Sequence, residues 1–361
     1  MGSGSWTSPR SDRKSDVGSA SPERHGGRAT AHLAGNDPRP DTRAEGRHPL
    51  TISLRARLRD LVTDLGGTVT PGPPLRGALP HVEEPFANAD YVEDSDGVRA
   101  RPVRPSGHFP AVAFLDGIQR FAVEARFGLV PVIRGHVGAA VLCRRDGHLE
   151  VEDAASEDFL VTAAGALNAT QRSGLAELGL PLHEVEVAER AHPILDVQRT
   201  ARVVERRRET LERRLAGNAL ERDPERWLVV DGSVGDLGGA RVLGVIKSHE
   251  TQFLRGTDLE IALTLPEGHR TSVFARSRGT RGTVWTWYLR MWPWENQDLL
   301  HGLVRIERPP LALVVDEVDA VSAWLIAERT PLSAPDARWD RLLYPIHQVE
   351  TYLRAQLGGW W

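Results

Sequence analysis

Ala111-Val112-Ala113-Phe114-Leu115-Asp116-Gly117 and Trp227-Leu228-Val229-Val230-Asp231-Gly232-Ser233 each carry an apolar run straight into Asp-Gly. Short apolar runs closed by a turn dipeptide read as buried strands, and each of these delivers a carboxylate at its end. Between them, residues 203–215 form a Glu-rich helical stretch. In it Glu205, Glu209 and Glu212 stand at i, i+4 and i+7 and share one face, flanked by Arg208 and Arg213. Taken singly, each feature is ordinary: Asp-Gly ends many strands, and a Glu/Arg helix is usually solvated, with i,i+4 pairs along its surface. In this order, they set acids on three successive elements.

Outward from these stretches, the chain after Asp116-Gly117 is dense in β pattern. Runs at residues 111–115, 118–124, 129–143 (interrupted at Gly135) and 148–152, with Asp146-Gly147 as a hairpin turn, predict an antiparallel meander. From residue 158 the pattern turns helical, and a long helix is predicted over 194–215 with Pro193 suited to its first turn. Further strands are predicted over 227–230, 242–246, 258–265, 271–275, 283–289, 303–306 and 311–315, then helices over 318–329 and 339–357. A helix over 51–66 precedes an irregular connector at 70–110, rich in Pro, Gly and acids. No repeat of 20–50 residues occurs. The sum is an α/β fold, a central mixed sheet with helices on its faces.

The chain has 361 residues and a formal net charge of −4, so no global basic field announces a nucleic-acid partner; a local arginine-lined groove would have to serve. Residues 1–49 are Gly, Ser, Arg, Asp and Pro with almost no apolar side chains. They are expected to be a disordered tail, or to follow a translation start placed too early, and they lack the apolar core of a secretory signal. The expected organisation is therefore a tail (1–49), a helix with its connector (50–110) and a main domain (111–361). No stretch approaches the roughly 18 uncharged apolar residues of a membrane span. The single cysteine, Cys143, sits in an apolar run as a core residue; it excludes an internal disulfide and a Cys-based zinc cluster, and fits a reducing cytoplasm.

Hydrolysis of a phosphodiester needs an activated water and a neutralised leaving oxygen. Two divalent cations supply both, and hard carboxylate oxygens suit Mg²⁺ or Mn²⁺. Lys247 ends the strand predicted over 242–246 and, apart from Lys14 in the tail, is the only lysine. A compact ammonium in a chain that otherwise uses arginine points to a phosphate or a nucleophilic water. Residues 279–294 interleave Arg281, Arg290, Trp285, Trp287, Tyr288, Trp292 and Trp294. Trp285, Trp287 and Leu289 share one strand face, which favours a buried core over a base-stacking platform. Near the C-terminus, His347 and Glu350 fall in the first turns of a helix.

An acid at a strand end, a second on the next helix and a third at the end of a later strand is the order in which ribonuclease H-like folds gather carboxylates around divalent metal. The chain also resembles one family of that fold. Phe114-Leu115-Asp116-Gly117, the Arg208-x-x-Leu211-Glu212 helix, Leu228-Val229-Val230-Asp231-Gly232-Ser233, Gly244-Val245-Ile246-Lys247, Trp287-Tyr288-Leu289-Arg290, Gly302-Leu303-Val304-Arg305 and Leu343-Tyr344-Pro345-Ile346 are similar, in order, to the landmarks of the NurA nucleases. The resemblance runs from about residue 110 to the end. It implies a ribonuclease H-like mixed sheet and manganese-dependent DNA-end resection with 5′→3′ exonuclease activity. It also implies a cytoplasmic homodimer working with a hexameric HerA-type ATPase in DNA repair or antiphage defence.

By the same resemblance Asp116, Glu212 and Asp231 hold two Mn²⁺ or Mg²⁺ ions, Lys247 stabilises phosphate charge, and Tyr344 and His347 join the site. Two positions depart from the family: its first motif reads Asp-Gly-Ser where this chain has Ile118-Gln119 after Gly117, and His347 arrives early, with Tyr352 nearer the family histidine's place. The alternatives are an adaptor with weakened catalysis that binds DNA and docks on the ATPase, and an RNA-directed member of the same fold.

Overall fold

The computed structural model describes residues 53–69, 87–104, 110–186, 192–235, 237–249, 251–277, 282–310, 315–330 and 343–357. The predicted tail, most of the strand predicted over 311–315 and the first residues of the helix predicted over 339–357 lie outside them.

In chain order the described elements are α1 (Leu54–Asp64), β1 (Thr68–Val69), β2 (Ala89–Tyr91), β3 (Ala100–Pro102), β4 (Val112–Phe127), β5 (Val130–Arg145), β6 (His148–Ala163), α2 (Ala169–Ala176), β7 (Leu182–Val185) and α3 (Pro193–Arg222). There follow β8 (Trp227–Asp231), β9 (Val242–Ile246), α4 (Gly256–Leu263), β10 (His269–Thr271), β11 (Phe274–Ser277), β12 (Thr283–Arg290), β13 (Leu303–Arg308), α5 (Val315–Ala327) and α6 (Tyr344–Ala355). One mixed sheet runs β2-β11-β12-β13-β9-β8-β4-β5-β6-β7, with β1, β3 and β10 paired off that path. At its centre β6-β5-β4-β8-β9 has the ribonuclease H-like order: an antiparallel meander, then two strands that return parallel to β4 and to each other.

Both faces of this centre are covered, which is why β4 and β8 read as continuous apolar runs and not as alternating ones. Alternation sends Ala113, Leu115, Leu228 and Val230 to one face, where they pack with Val204, Leu211, Leu215 and Ala219 of α3. Val112, Phe114, Trp227 and Val229 go to the other, under Val318 and Trp324 of α5 and Ile346, Val349 and Leu353 of α6. Helix α3 starts where Pro193 fixes the first turn; the His192 ring accepts from the Ile194 and Leu195 amides, and Asp196 accepts from the His192 amide.

Several sequence expectations are corrected. Strand β4 does not stop at Asp116 but runs on through Gly117 to Phe127, because β5 pairs with it along almost its whole length. Strand β6 likewise extends to Ala163, held by pairs such as Ile133 with Val161, where a helical pattern was expected. Residues 258–265 form a helix, α4, not a strand. The connector contributes β2 and β3 to the sheet, and residues 271–275 divide between β10 and β11. The hairpin at Asp146-Gly147 is present, both residues having positive φ as a type I′ turn requires. Cys143 is buried. Trp287 and Leu289 are core residues with no exposed surface. Among the described residues no helix is long and apolar enough to cross a membrane.

Candidate active site

Asp116 and Asp231 stand side by side. Leu115 pairs in register with Val230, so the two aspartates come next on neighbouring parallel strands, with backbones about 4.8 Å apart. Alternation points both away from α3, on the face of Phe114 and Val229. Asp231 is in turn the register partner of Val245, and Lys247, two residues on, shares that face. Its Nζ lies 2.8 Å from Asp231 Oδ2. After Asp231 the chain turns sharply through Gly232, whose φ of 101° favours glycine.

The acid of α3 enters from the opposite face. Glu212 lies directly over Gly117: a Cβ at 117 would sit 2.8 Å from Glu212 Cδ and 2.9 Å from its Cγ. Gly117 is thus not a turn but a gap in the side-chain layer of β4, and the Glu212 carboxylate fills it. Arg208, one helical turn earlier, donates from Nη1 to Glu212 Oε1 at 2.6 Å. The other glutamate of that face with a described partner, Glu209, makes only an outward 3.8 Å pair with Arg213, both half-exposed.

The electrostatics follow from that packing. Asp116 is 7% exposed, and burial, then the negative charge of Asp231, push its carboxyl up to about 7, against the opposing pull of Lys247 and of the Gly117 amide, which donates to Oδ1 at 2.7 Å. A smaller upward push comes from Glu212. Burial also raises Glu212, opposed by Arg208. Two of the three acids are therefore charged at a cost, the condition a divalent cation relieves.

Among the described residues no group of three His, Cys, Asp or Glu side chains is arranged to hold one metal ion. Lys247 engages Asp231, and Arg208 engages Glu212 on the far side of the strand. The adjacent oxygens of Asp116 and Asp231, hard donors in a buried setting, do fit a hard divalent cation. Glu212 fits as a third donor without leaving Arg208, because the guanidinium engages one of its two oxygens, Oε1.

Tyr344 is placed elsewhere. It opens α6 and lines a cavity of about 210 Å³ with Arg144, His148, Glu328 and Gln348. Cys143 faces Ala113, so that cavity lies about four residues along the strand from Asp116, roughly 13 Å. His347, one turn on, is 3.9 Å from Glu350 of the same helix. Helix α6 then runs back along the sheet, and Tyr352 with Gln356 lines a second cavity, about 230 Å³, against Ile118 and His136. Ile118 is the next residue on the face of Asp116, so this second cavity, unlike the first, opens beside the strand segment that carries the aspartate.

Two features went unread in the sequence. Gln119 Oε1 accepts from Arg208 Nε at 3.1 Å; the signal was present only as a polar residue two places beyond Gly117 in a strand expected to have turned away. On the other side of Asp231, Ser233 donates to buried Glu307 at 2.6 Å, and Glu307 is further held by Arg276 and Arg305. That cluster pins the loop after the second aspartate.

No protein-family model and no curated protein sequence matches the chain. Among solved structures, the NurA nuclease from Sulfolobus solfataricus is similar at 12% identity and a TM-score of 0.38, covering 72% of this chain and 88% of that one. The catalytic domain of human Endonuclease V is similar at 16% identity and a TM-score of 0.30, covering 70% and 85%. Both are nucleases by name.

Proposed function

We propose that this protein is a metal-dependent deoxyribonuclease that hydrolyses phosphodiesters at DNA ends. The observation that carries the reading is the juxtaposition of Asp116 and Asp231 on adjacent parallel strands, with Lys247, from the end of the next strand, 2.8 Å from Asp231 and Glu212 seated over Gly117. Asp116 and Asp231 would hold Mn²⁺ or Mg²⁺, two ions in all once Glu212 contributes. Bound there, such ions supply a nucleophilic water and charge neutralisation at the leaving oxygen. The chain's own residues do the rest. Lys247, 40% exposed at its side chain, presents an ammonium at the mouth of the site, where it offsets charge on the scissile phosphate. Arginines would guide the strand into the site, which makes binding salt-dependent.

The finer reading is 5′→3′ exonuclease or endonuclease action by a cytoplasmic homodimer, with a hexameric HerA-type ATPase feeding DNA to it in repair or defence. A second reading, an adaptor of weakened catalysis that binds DNA and docks on the ATPase, is favoured by one observation: two of the three acids are already engaged by protein cations. End-labelled linear DNA incubated with Mn²⁺, with and without EDTA, decides between them. The nuclease cleaves, EDTA stops it, and Asp231→Asn abolishes cleavage while DNA binding persists. Undiminished cleavage by Asp231→Asn overturns the site; binding without cleavage by the unaltered protein selects the adaptor.

A further inference from the structure

We propose that Gln119 is a positioning residue for this site: it tethers Arg208, and Arg208 in turn holds Glu212 over Gly117 where a cation can recruit it. The inference rests on the metal-site reading above. Residue 119 lies two places beyond Gly117 on β4, hence on the same face, toward α3. The two links run 3.1 Å from Gln119 Oε1 to Arg208 Nε and 2.6 Å from Arg208 Nη1 to Glu212 Oε1. A guanidinium is planar and rigid, so fixing Nε from the sheet fixes the direction in which Nη1 points.

An ordinary i,i+4 Arg–Glu pair needs no such anchor. On the same helix Arg213 and Glu209 stand 3.8 Å apart with side chains 48% and 38% exposed, a loose solvated contact. The Arg208–Glu212 pair is 24% and 17% exposed, points at the sheet, and is the one tied to a different element. The amide oxygen is therefore the feature that turns a helix-surface pair into a fixed arm. It also gives a role to the segment where the first motif departs from Asp-Gly-Ser.

The test uses the full chain with Gln119→Leu, which removes the acceptor, and Gln119→Glu, which keeps one. Outer partners of metal ligands typically matter by about 10- to 100-fold in metal affinity or activity. Calorimetric titration with Mn²⁺ alone should show affinity at least tenfold weaker for Gln119→Leu. On linear DNA its kcat should fall by a similar factor with KM unchanged, and Gln119→Glu should stay within about threefold of the unaltered protein on both measures. Arg208→Lys, which leaves position 119 intact but cannot span both acceptors, should reproduce the loss.

In EDTA, the shift in melting temperature caused by Gln119→Leu should shrink in a Glu212→Ala background, since Arg208 then has no side chain to hold. Unchanged Mn²⁺ affinity in Gln119→Leu, equal losses in both Gln119 variants, a change in KM alone, or additive melting shifts would each overturn the proposal. If the unaltered protein binds no Mn²⁺, the metal-site reading falls, and the metal-free cycle alone decides whether the tether exists.

Discussion

Asp116 and Glu307 are both buried acids of the same sheet, 7% and 0% exposed, yet their surroundings drive them in opposite directions. Around Glu307 the protein supplies everything a carboxylate needs: Arg305, Arg276 and the Ser233 hydroxyl together outweigh burial and hold the carboxyl below its usual range. Arg270, in the same half of the sheet, is treated likewise: it meets Glu93 and Asp319, which hold it above its usual range despite burial. Asp116 faces another aspartate and is pushed up to about 7. Satisfied burial builds the scaffold, whereas unsatisfied burial marks where something from outside is to bind.

The sharpest way to break this comparison is to alter one acid on each side. Asp231→Asn should lower cleavage roughly a thousandfold, the several kcal/mol that metal-assisted charge stabilisation supplies, while the melting temperature barely moves. Glu307→Ala should do the reverse to the fold. It leaves Arg305 and Arg276 facing each other without their shared carboxylate, a loss of about 3 kcal/mol measurable by denaturant unfolding. A Glu307→Ala protein as stable as the unaltered one would erase the distinction between the two regions.

Gly117→Ala comes next in size. Its neighbour is the flexible end of Glu212, not backbone, so the added methyl displaces the carboxylate and leaves the strand intact. Cleavage should fall about 10- to 100-fold. Stability should hold or rise by about 0.5 kcal/mol, because alanine loses less chain entropy than glycine in an extended segment. Parallel assays of kcat and thermal unfolding separate the two effects, and a variant that loses stability together with activity would show that Gly117 serves the fold.

The aspartates were legible because two apolar runs of similar length, each ending in Asp-Gly, fall into parallel register once α3 carries the chain back over the sheet. What Gly117 does was not legible. Asp-Gly is a turn signal in isolation, and only the long pairing of β4 with β5, set from the other side of a hairpin, keeps the strand extended through it. Residues 258–265 alternate apolar and polar like a strand, yet form α4. Short apolar runs do not settle their own period, and here Arg290, 25 to 27 residues away, binds the carbonyls at the end of the helix. Gln119 was out of reach for the same reason, since its partner is fixed by how α3 packs on the sheet.

The smallest expected effect is also the most direct reading of Asp116. Its folded carboxyl titrates near 7, above the ordinary carboxylate range, so the folded state holds a proton that the unfolded chain has already lost. Without metal, Asp116's contribution to stability should be fully present below about pH 4, decline as pH rises toward 7, and level off beyond. Glu307, lowered in the folded state, slopes the other way and loses its contribution only in acid. Asp116→Asn removes the first slope alone. In EDTA it should match the unaltered protein at pH 4 and exceed it by about 1–2 kcal/mol at pH 8, less than the full shift implies because the two aspartates share their proton. Saturating Mn²⁺ should invert the order at pH 8, since the cation stabilises the protein that keeps both carboxylates. A variant no more stable than its parent at pH 8 in EDTA would mean that Asp116 bears its charge without cost, and the contrast with Glu307 would disappear.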